Sequence, residues 1–303
     1  MNGWIIIDKP VGPGSTQVVS AVKRALRTGG YAKAKVGHGG TLDPLASGVL
    51  PVALGEATKL AGRMLDSDKI YEFTIGFGVE TDTLDLEGRV IETSDVRPTL
   101  ADVDAALPDF TGPIEQVPPA YSALKVDGER AYDLARAGEE VALKARAIVI
   151  HSISVCPEQS ISTSPDANGL EEITLTAHVS KGTYIRSLAR DIARTLGTVG
   201  HVTMLRRIKA GPFTLESAIS LDMLAELGHG RALEGICLPL TAGLDDIPVL
   251  AVTPDQAGLL RQGRVLVGIA AQHGLHLATD RDAPVALVDV SDDGVRVVRG
   301  FNL

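Results

Sequence analysis

Cysteine is nearly missing from this chain: its 303 residues include two, Cys156 and Cys237, with no motif spacing between them. That excludes a disulfide-stapled secreted scaffold and a cysteine-rich metal site, and sets the expected compartment as a reducing one, the cytoplasm. No apolar run approaches the roughly 20 residues of a membrane-spanning helix, so no membrane association is expected. The apolar stretch Trp4-Ile5-Ile6-Ile7 meets Asp8 and Lys9 at once, which is too short for a secretory leader. Gly12-Pro13-Gly14-Ser15-Thr16 lacks the lysine that a Walker loop sets before its hydroxyl residue. Gly37 and Gly39 lack the third spaced glycine of a dinucleotide fingerprint. Glu80, Asp82, Asp85 and Glu87 miss the spacing of a calcium loop. His273 and His276 have a metal-like interval but no partner, so no metal site is expected.

Aromatic residues are also scarce, at 4%, so each tyrosine is worth inspecting. Apolar residues make up 45% of the chain, enough for one large domain and a small one. The net charge of −9 argues against nucleic acid until its distribution is read. Residues 1–70 hold nine Lys or Arg against five Asp or Glu, and residues 181–211 hold seven against one. The remainder therefore carries −19. Segregation of this kind permits a basic groove on an acidic body, and the groove is what phosphates meet.

Periodicity supplies the elements. Gly3 to Ile7 reads as a buried strand, and Val18, Val19, Val22, Ala25 and Leu26 mark one face of a helix from Ser15 or Thr16 to Arg27. Tyr71, Phe73, Ile75, Phe77 and Val79 alternate strictly and predict a strand with one apolar face. The acidic turn Thr81–Gly88 then leads into a hairpin. Pro113 to Ile150 reads as an excursion from the main sheet, with a helix-like run over 131–137, and Glu158 to Gly169 reads as a loop. A strand over 173–179 precedes a helix marked by Ile185, Leu188, Ala189, Ile192 and Leu196. Arg186, Arg190 and Arg194 form a basic stripe along that helix. Past Leu240, Thr253-Pro254 opens a short helix, and β-rich runs at 275–279, 285–290 and 295–298 follow, the last two joined by Asp292-Asp293-Gly294.

The most informative stretch is Gly37-His38-Gly39-Gly40-Thr41-Leu42-Asp43-Pro44-Leu45-Ala46-Ser47-Gly48. Three glycines crowd into four positions, and Pro44 pushes Asp43 out of the helical region, so its carboxylate projects from a turn of fixed shape. Two further blocks go with it, Lys9-Pro10-Val11-Gly12 and Lys181-Gly182-Thr183-Tyr184-Ile185-Arg186. In this order the blocks resemble the bacterial TruB family, the tRNA pseudouridine-55 synthases, and the resemblance runs from about Lys9 to Ile208.

The resemblance implies an α+β fold: a mixed, mostly antiparallel, pseudouridine-synthase-like sheet with flanking helices over 1–245, and a small β-rich PUA-like RNA-binding domain over 246–303. The excursion at about 113–150 would be a thumb that closes on the RNA stem-loop. The implied reaction isomerises a T-loop uridine of tRNA and needs neither metal nor organic cofactor; a monomer without an obligate protein partner is the default expectation. Asp43 aligns with the essential aspartate, as nucleophile or base. Arg186 aligns with the arginine that pairs with it, in an expected bidentate contact, and Tyr71 with the tyrosine that stacks on the flipped base. Tyr184 and Leu205 match pocket-lining positions, and His38 matches a histidine packed where the bases separate. Lys9, Lys69 and Arg190 are weaker expectations for phosphate contact. Two other activities use similar residues: an N-glycoside hydrolase, though glycosidases typically need two carboxylates, and a tRNA-folding chaperone that would do without Asp43. Gly14-Ser15-Thr16 and the middle of the thumb depart from the family pattern.

Overall fold

The computed structural model describes residues 1–122, 124–126, 129–132, 143–156, 162–163 and 169–303. Its main sheet contains β1 (Gly3–Lys9), β2 (Ala46–Leu54), β3 (Lys69–Phe77), β4 (Gly112–Gln116), β5 (Arg146–Val155), β6 (Leu170–Val179) and β7 (Gly200–Ala210). The strand order is β1-β2-β7-β3-β6-β5-β4, with the short strand Ala218–Ile219 beyond β1. Neighbours are antiparallel except β2 with β7 and β1 with that short strand. The sheet is therefore mixed and mostly antiparallel, as expected.

β1 shows why its sequence is an unbroken apolar run: both of its faces are covered. Ile5 and Ile7 pack with Val18, Val22 and Leu26 of helix α1 (Ser15–Thr28), while Trp4 and Ile6 join a core on the opposite face. Full burial of each isoleucine contributes roughly 1.5–3 kcal/mol. At the other side of the sheet, Phe73, Ile75 and Phe77 of β3 meet Ile173, Leu175 and Ala177 of β6. Helix α2 (Ile185–Thr195) covers them with Leu188, Ala189 and Ile192.

β3 ends two residues earlier than its alternation predicts. Gly78 takes a φ of 91°, which breaks the pleat, and Val79–Thr81 turns away to pair with Val90–Thr93 as the expected hairpin. Gly48 is required for the opposite reason. With φ at 102°, a Cβ there would stand 2.1 Å from the carbonyl oxygen of Arg207, so only glycine lets β2 and β7 approach as closely as they do.

The excursion expected over 113–150 leaves from β4 and returns through β5, an antiparallel pair, so its two ends belong to the sheet. Lys125–Val126 and Glu129–Arg130 form a small hairpin within it; most of the helix-like run over 131–137 lies outside the described residues. Most of the expected loop at 158–169 lies outside them as well, but Ser162–Thr163 pairs with β6.

The C-terminal runs form their own four-stranded sheet: β8 (Val249–Val252), β9 (Gly274–Asp280), β10 (Ala283–Ser291) and β11 (Gly294–Gly300), in that order. Helix α3 (Pro254–Arg261) packs on it through Ala257 and Leu260. Thr253 and Gln256 cap that helix reciprocally, and Pro254 occupies its first turn. Leu277, Leu287 and Phe301 reach the core around Trp4 and Ile6, which seats the small sheet against the large one.

Candidate active site

The loop that carries Asp43 is held by hydrogen bonds to its backbone on both flanks. Ser15 Oγ accepts from the Leu42 N–H (2.8 Å) and donates to the Leu42 carbonyl (3.1 Å). Arg207 Nη1 donates to the Thr41 carbonyl at 3.2 Å, and the Gly12 N–H to that of Pro44 at 2.8 Å. The Asp43 carbonyl itself accepts from the Ala46 N–H at 3.0 Å. Because Ser15 is engaged in this way, the N-cap of α1 passes to Gly14, whose N–H is taken by Gln17. The turn is thus fixed independently of its carboxylate, which stays half-exposed and available.

Arg186 reaches Asp43 from the first turn of α2. Gln116, at the end of β4, pins the start of that helix: its amide accepts from the Tyr184 N–H (2.8 Å) and donates to the Tyr184 carbonyl (3.1 Å). Arg186 Nη2 stands 3.0 Å from Asp43 Oδ2, and Nη1 stands 3.6 Å from Asp85 Oδ2. The same two nitrogens donate to the carbonyls of Thr83 (2.8 Å) and Tyr121 (3.1 Å). The expected bidentate grip on Asp43 is therefore replaced by a shared one, because Asp85 competes for the guanidinium fork. The Arg186 side chain is 9% exposed, Asp85 11% and Asp43 45%. One carboxylate is shut in with the arginine, and the other opens to the cavity.

That cavity has a volume of about 550 Å³ and is lined by Asp43, Tyr71, Tyr184, Arg186, Leu205 and Arg207, among others. This is the size of a small-ligand pocket, and its walls offer rings and an aliphatic group beside one carboxylate. Burial pushes the Tyr184 phenol above its ordinary pKa. Of the residues expected from sequence, Asp43, Arg186, Tyr71, Tyr184, Leu205 and Lys69 share this cavity, whereas Lys9, His38 and Arg190 are not among its lining.

Lys9 and Lys69 occupy structural positions. Lys9 is fully buried, and its ammonium donates to the carbonyls of Pro10 (2.9 Å), Pro13 (2.8 Å) and Pro44 (3.2 Å). Lys69, nearly as buried, donates to those of Met64, Leu65 and Ser67. Three donors matched to three carbonyls leave neither ammonium a proton for a phosphate. Burial lowers both pKa values to about 8; the Asp43 charge partly offsets this at Lys9, and the Arg207 guanidinium adds to it at both. Arg190 pairs with Asp191 at 2.8 Å and donates to the Val117 carbonyl at 3.2 Å. His38 sits in a short strand beside β2, and its Nδ1 is buried without a hydrogen-bond partner among the described residues. Burial, then Arg207, holds its pKa below the usual value.

Sequence reasoning passed over Asp85, Gln116 and Arg207. Asp85 had a signal, the acidic turn after β3. Arg207 had a weaker one, a second arginine beside Arg206 at the end of a matched block. Gln116 had none.

Comparison with known sequences identifies what kind of site this is. The profile of the N-terminal domain of TruB family pseudouridylate synthases matches residues 24–185, and that of the tRNA pseudouridylate synthase B C-terminal domain matches residues 186–245. The chain belongs to the TruB family. A tRNA pseudouridine synthase B of Novosphingobium aromaticivorans is 63% identical over 303 residues, which is 100% of this chain and 98% of the relative. The protein of the same name from Zymomonas mobilis is 59% identical over 100% of this chain and 96% of its own. Among solved structures, a chain of a Cbf5-Nop10-Gar1 complex is 26% identical with a TM-score of 0.73, covering 99% of this chain and 85% of that one. A chain of an H/ACA RNP bound to a substrate RNA containing 2'-deoxyuridine matches at 25% identity and the same TM-score, with the same coverage. Both family domains contribute to the site: Asp43 and Tyr71 fall in the first matched segment, Arg186 and Leu205 in the second.

Proposed function

We propose that this chain converts a uridine of tRNA to pseudouridine, and that its target is the uridine at position 55, in the T-loop. The observation that carries the reading is Asp43, held by Arg186 at the edge of a cavity walled by Tyr71, Tyr184 and Leu205. A uridine in a folded loop hides its glycosidic bond, so it must be swung out, at a cost of a few kcal/mol, and received between apolar faces. Tyr71 supplies such a face, and Leu205, across the strand pair of β7 and β3, supplies another.

In the reaction the C1′–N1 bond breaks with its electron pair leaving on uracil. The base turns, C5 bonds to C1′, and the proton lost from C5 is balanced by one gained at N1. Nothing is oxidised, and the product keeps the composition of the substrate, one proton having been released and one taken up. Asp43 is the electron-pair donor in either route open to it, attack at C1′ or removal of the proton at C2′. Arg186 keeps the carboxylate oriented through its shared, charge-assisted contact.

Asp85 speaks against a glycoside hydrolase. Its Oδ1 accepts from the Thr83 hydroxyl (2.5 Å) and the Glu87 N–H (3.1 Å), and its Oδ2 faces Arg186, so it is not set up as the second carboxylate of hydrolysis. The enzyme reading extends to the T-arm stem-loop as the recognised element and to a monomer, since residues of one chain complete the cavity. It also extends to residues 246–303 as a PUA-like RNA-binding domain and to the cytoplasm as the place of action. No helix among the described residues is long and apolar enough to cross a membrane.

The test is incubation with an unmodified tRNA transcript and no added cofactor, followed by chemical mapping and mass spectrometry. Pseudouridine at one T-loop position with unchanged RNA mass is expected. Free uracil would establish hydrolysis instead, and modification elsewhere would move the target.

A further inference from the structure

A second concavity, of about 1100 Å³, opens where α1 ends, and Lys23, Arg27, Tyr31, Lys33 and Lys35 line it. Residues 23–35 include five cations, counting Arg24, and no acid, in a chain whose net charge is −9. All five cations are exposed. None is in an ion pair among the described residues, whereas Arg186, Arg190, Arg194 and Arg206 each have a carboxylate partner. Of the neighbouring acids, Glu234 is engaged by the Tyr31 hydroxyl, which also accepts from the Leu233 N–H at 3.0 Å, and Glu56, near enough to feel the Lys35 charge, pairs with Lys59 at 2.7 Å. Like charges crowded without counterions repel one another, at a cost that an anionic partner removes.

The fold ties this patch to the active site. The first residue of α1, Ser15, holds Leu42 next to Asp43. The helix has 14 residues, so its far end lies roughly 20 Å away. From the patch, the strand Val36–His38 leads back to the Asp43 loop. In sheet order α1 lies at the β1–β2 side, whereas β4 and β5 stand at the opposite edge. An RNA loop entering the cavity, which Tyr121 and Ser122 line from the β4 side, thus has these cations on its other flank.

Building on the tRNA reading above, we propose that this groove holds the phosphodiester backbone of the tRNA outside its T stem-loop. A folded tRNA packs its T-loop against the rest of the molecule, so an enzyme that takes one nucleotide from that corner has the remaining backbone beside it. Exposed ammonium and guanidinium groups with no ion-pair partner among the described residues are the groups that exchange counterions for phosphates. Phosphate contacts carry no sequence information, so the effect of Arg27 and the lysines is to strengthen tRNA binding without changing which uridine is chosen.

The test uses the triple variant Lys23→Glu, Arg27→Glu, Lys33→Glu of the full chain, with circular dichroism to confirm its fold. Affinity and turnover are measured on a full-length unmodified tRNA transcript and on an isolated T-arm hairpin, between 50 and 200 mM salt. The expected result is at least about a tenfold loss of affinity for tRNA and a salt slope smaller by about two to three, each lost phosphate contact being worth roughly 0.9. Turnover of the hairpin should stay the same. Unchanged tRNA affinity would make the patch a solvated face, and equal losses on both RNAs would place it within the stem-loop site; either overturns the proposal. Failure of the wild-type chain to modify any RNA would instead count against the function itself, since binding is read separately.

Discussion

Two stretches of this chain look equally basic in sequence, and the fold treats them in opposite ways. Of the seven cations in residues 181–211, five (Lys181, Arg186, Arg190, Arg194 and Arg206) end in ion pairs. Their partners are Asp66, Asp43 with Asp85, Asp191, Glu80 and Asp8, all but Asp191 from distant parts of the chain. Residues 23–35 keep five exposed cations without one such pair among the described residues. A linear charge count is therefore not a surface potential. Ion pairing holds Arg186 in the site, whereas the cations of residues 23–35 face solvent.

The sharpest way to break this contrast is at Arg186. Arg186→Lys keeps a positive charge but loses the planar fork that bridges Asp43, Asp85 and two carbonyls. Turnover should fall by about 100-fold or more while tRNA affinity stays within a few-fold, as separate kcat and binding measurements would show. Near-normal turnover would mean that charge alone suffices.

Next in size is Arg207, buried with no carboxylate partner among the described residues. Its Nε donates to the Val49 carbonyl at 2.8 Å, and its Nη2 has no partner among the described residues. Arg207→Met should cost about 1–3 kcal/mol in denaturant unfolding, by leaving carbonyls unpaired. It should also raise the pKa values of Lys9 and Lys69, because the guanidinium lowers both. NMR titration of the lysine ammonium groups reads that second effect.

Lys9 gives a pH test of comparable size. With its pKa lowered to about 8 from 10.5 by burial, the folded chain releases this proton before the unfolded chain does. Between those values the unfolded state binds more protons, so this group makes stability rise with pH; below about 8 both states are protonated and its contribution is flat. Relative to Lys9→Met, the wild type should gain up to roughly 3 kcal/mol across that window. A gap that stays constant or narrows would contradict the buried, charged lysine.

The smallest effect belongs to the unpaired cations. Single neutralisations such as Lys23→Gln or Lys33→Gln should shift unfolding free energy by no more than about 0.5 kcal/mol. A larger loss would reveal hidden pairing.

Much of the fold was legible because apolar alternation and helical spacing are local signals. β1, β6, α1, α2 and the C-terminal hairpin follow their patterns, β3 does so as far as Gly78, and Asp43 announced itself through the glycines and proline around it. What stayed hidden depends on long-range pairing. That Lys9 and Lys69 clamp carbonyls follows from turns that fold back on them, which composition does not encode. Asp85 reaches Arg186 only because Gly78 redirects the chain after β3. Gln116 matters only because β4 ends beside Tyr184.

If Asp43 acts on a flipped uridine, its removal must separate binding from chemistry: wild type and Asp43→Asn are compared at saturating unmodified tRNA, with single-turnover pseudouridine formation and tRNA affinity measured together. Affinity should be unchanged and product formation should fall by several orders of magnitude. Product formed by Asp43→Asn at a rate near that of the wild type would contradict that role.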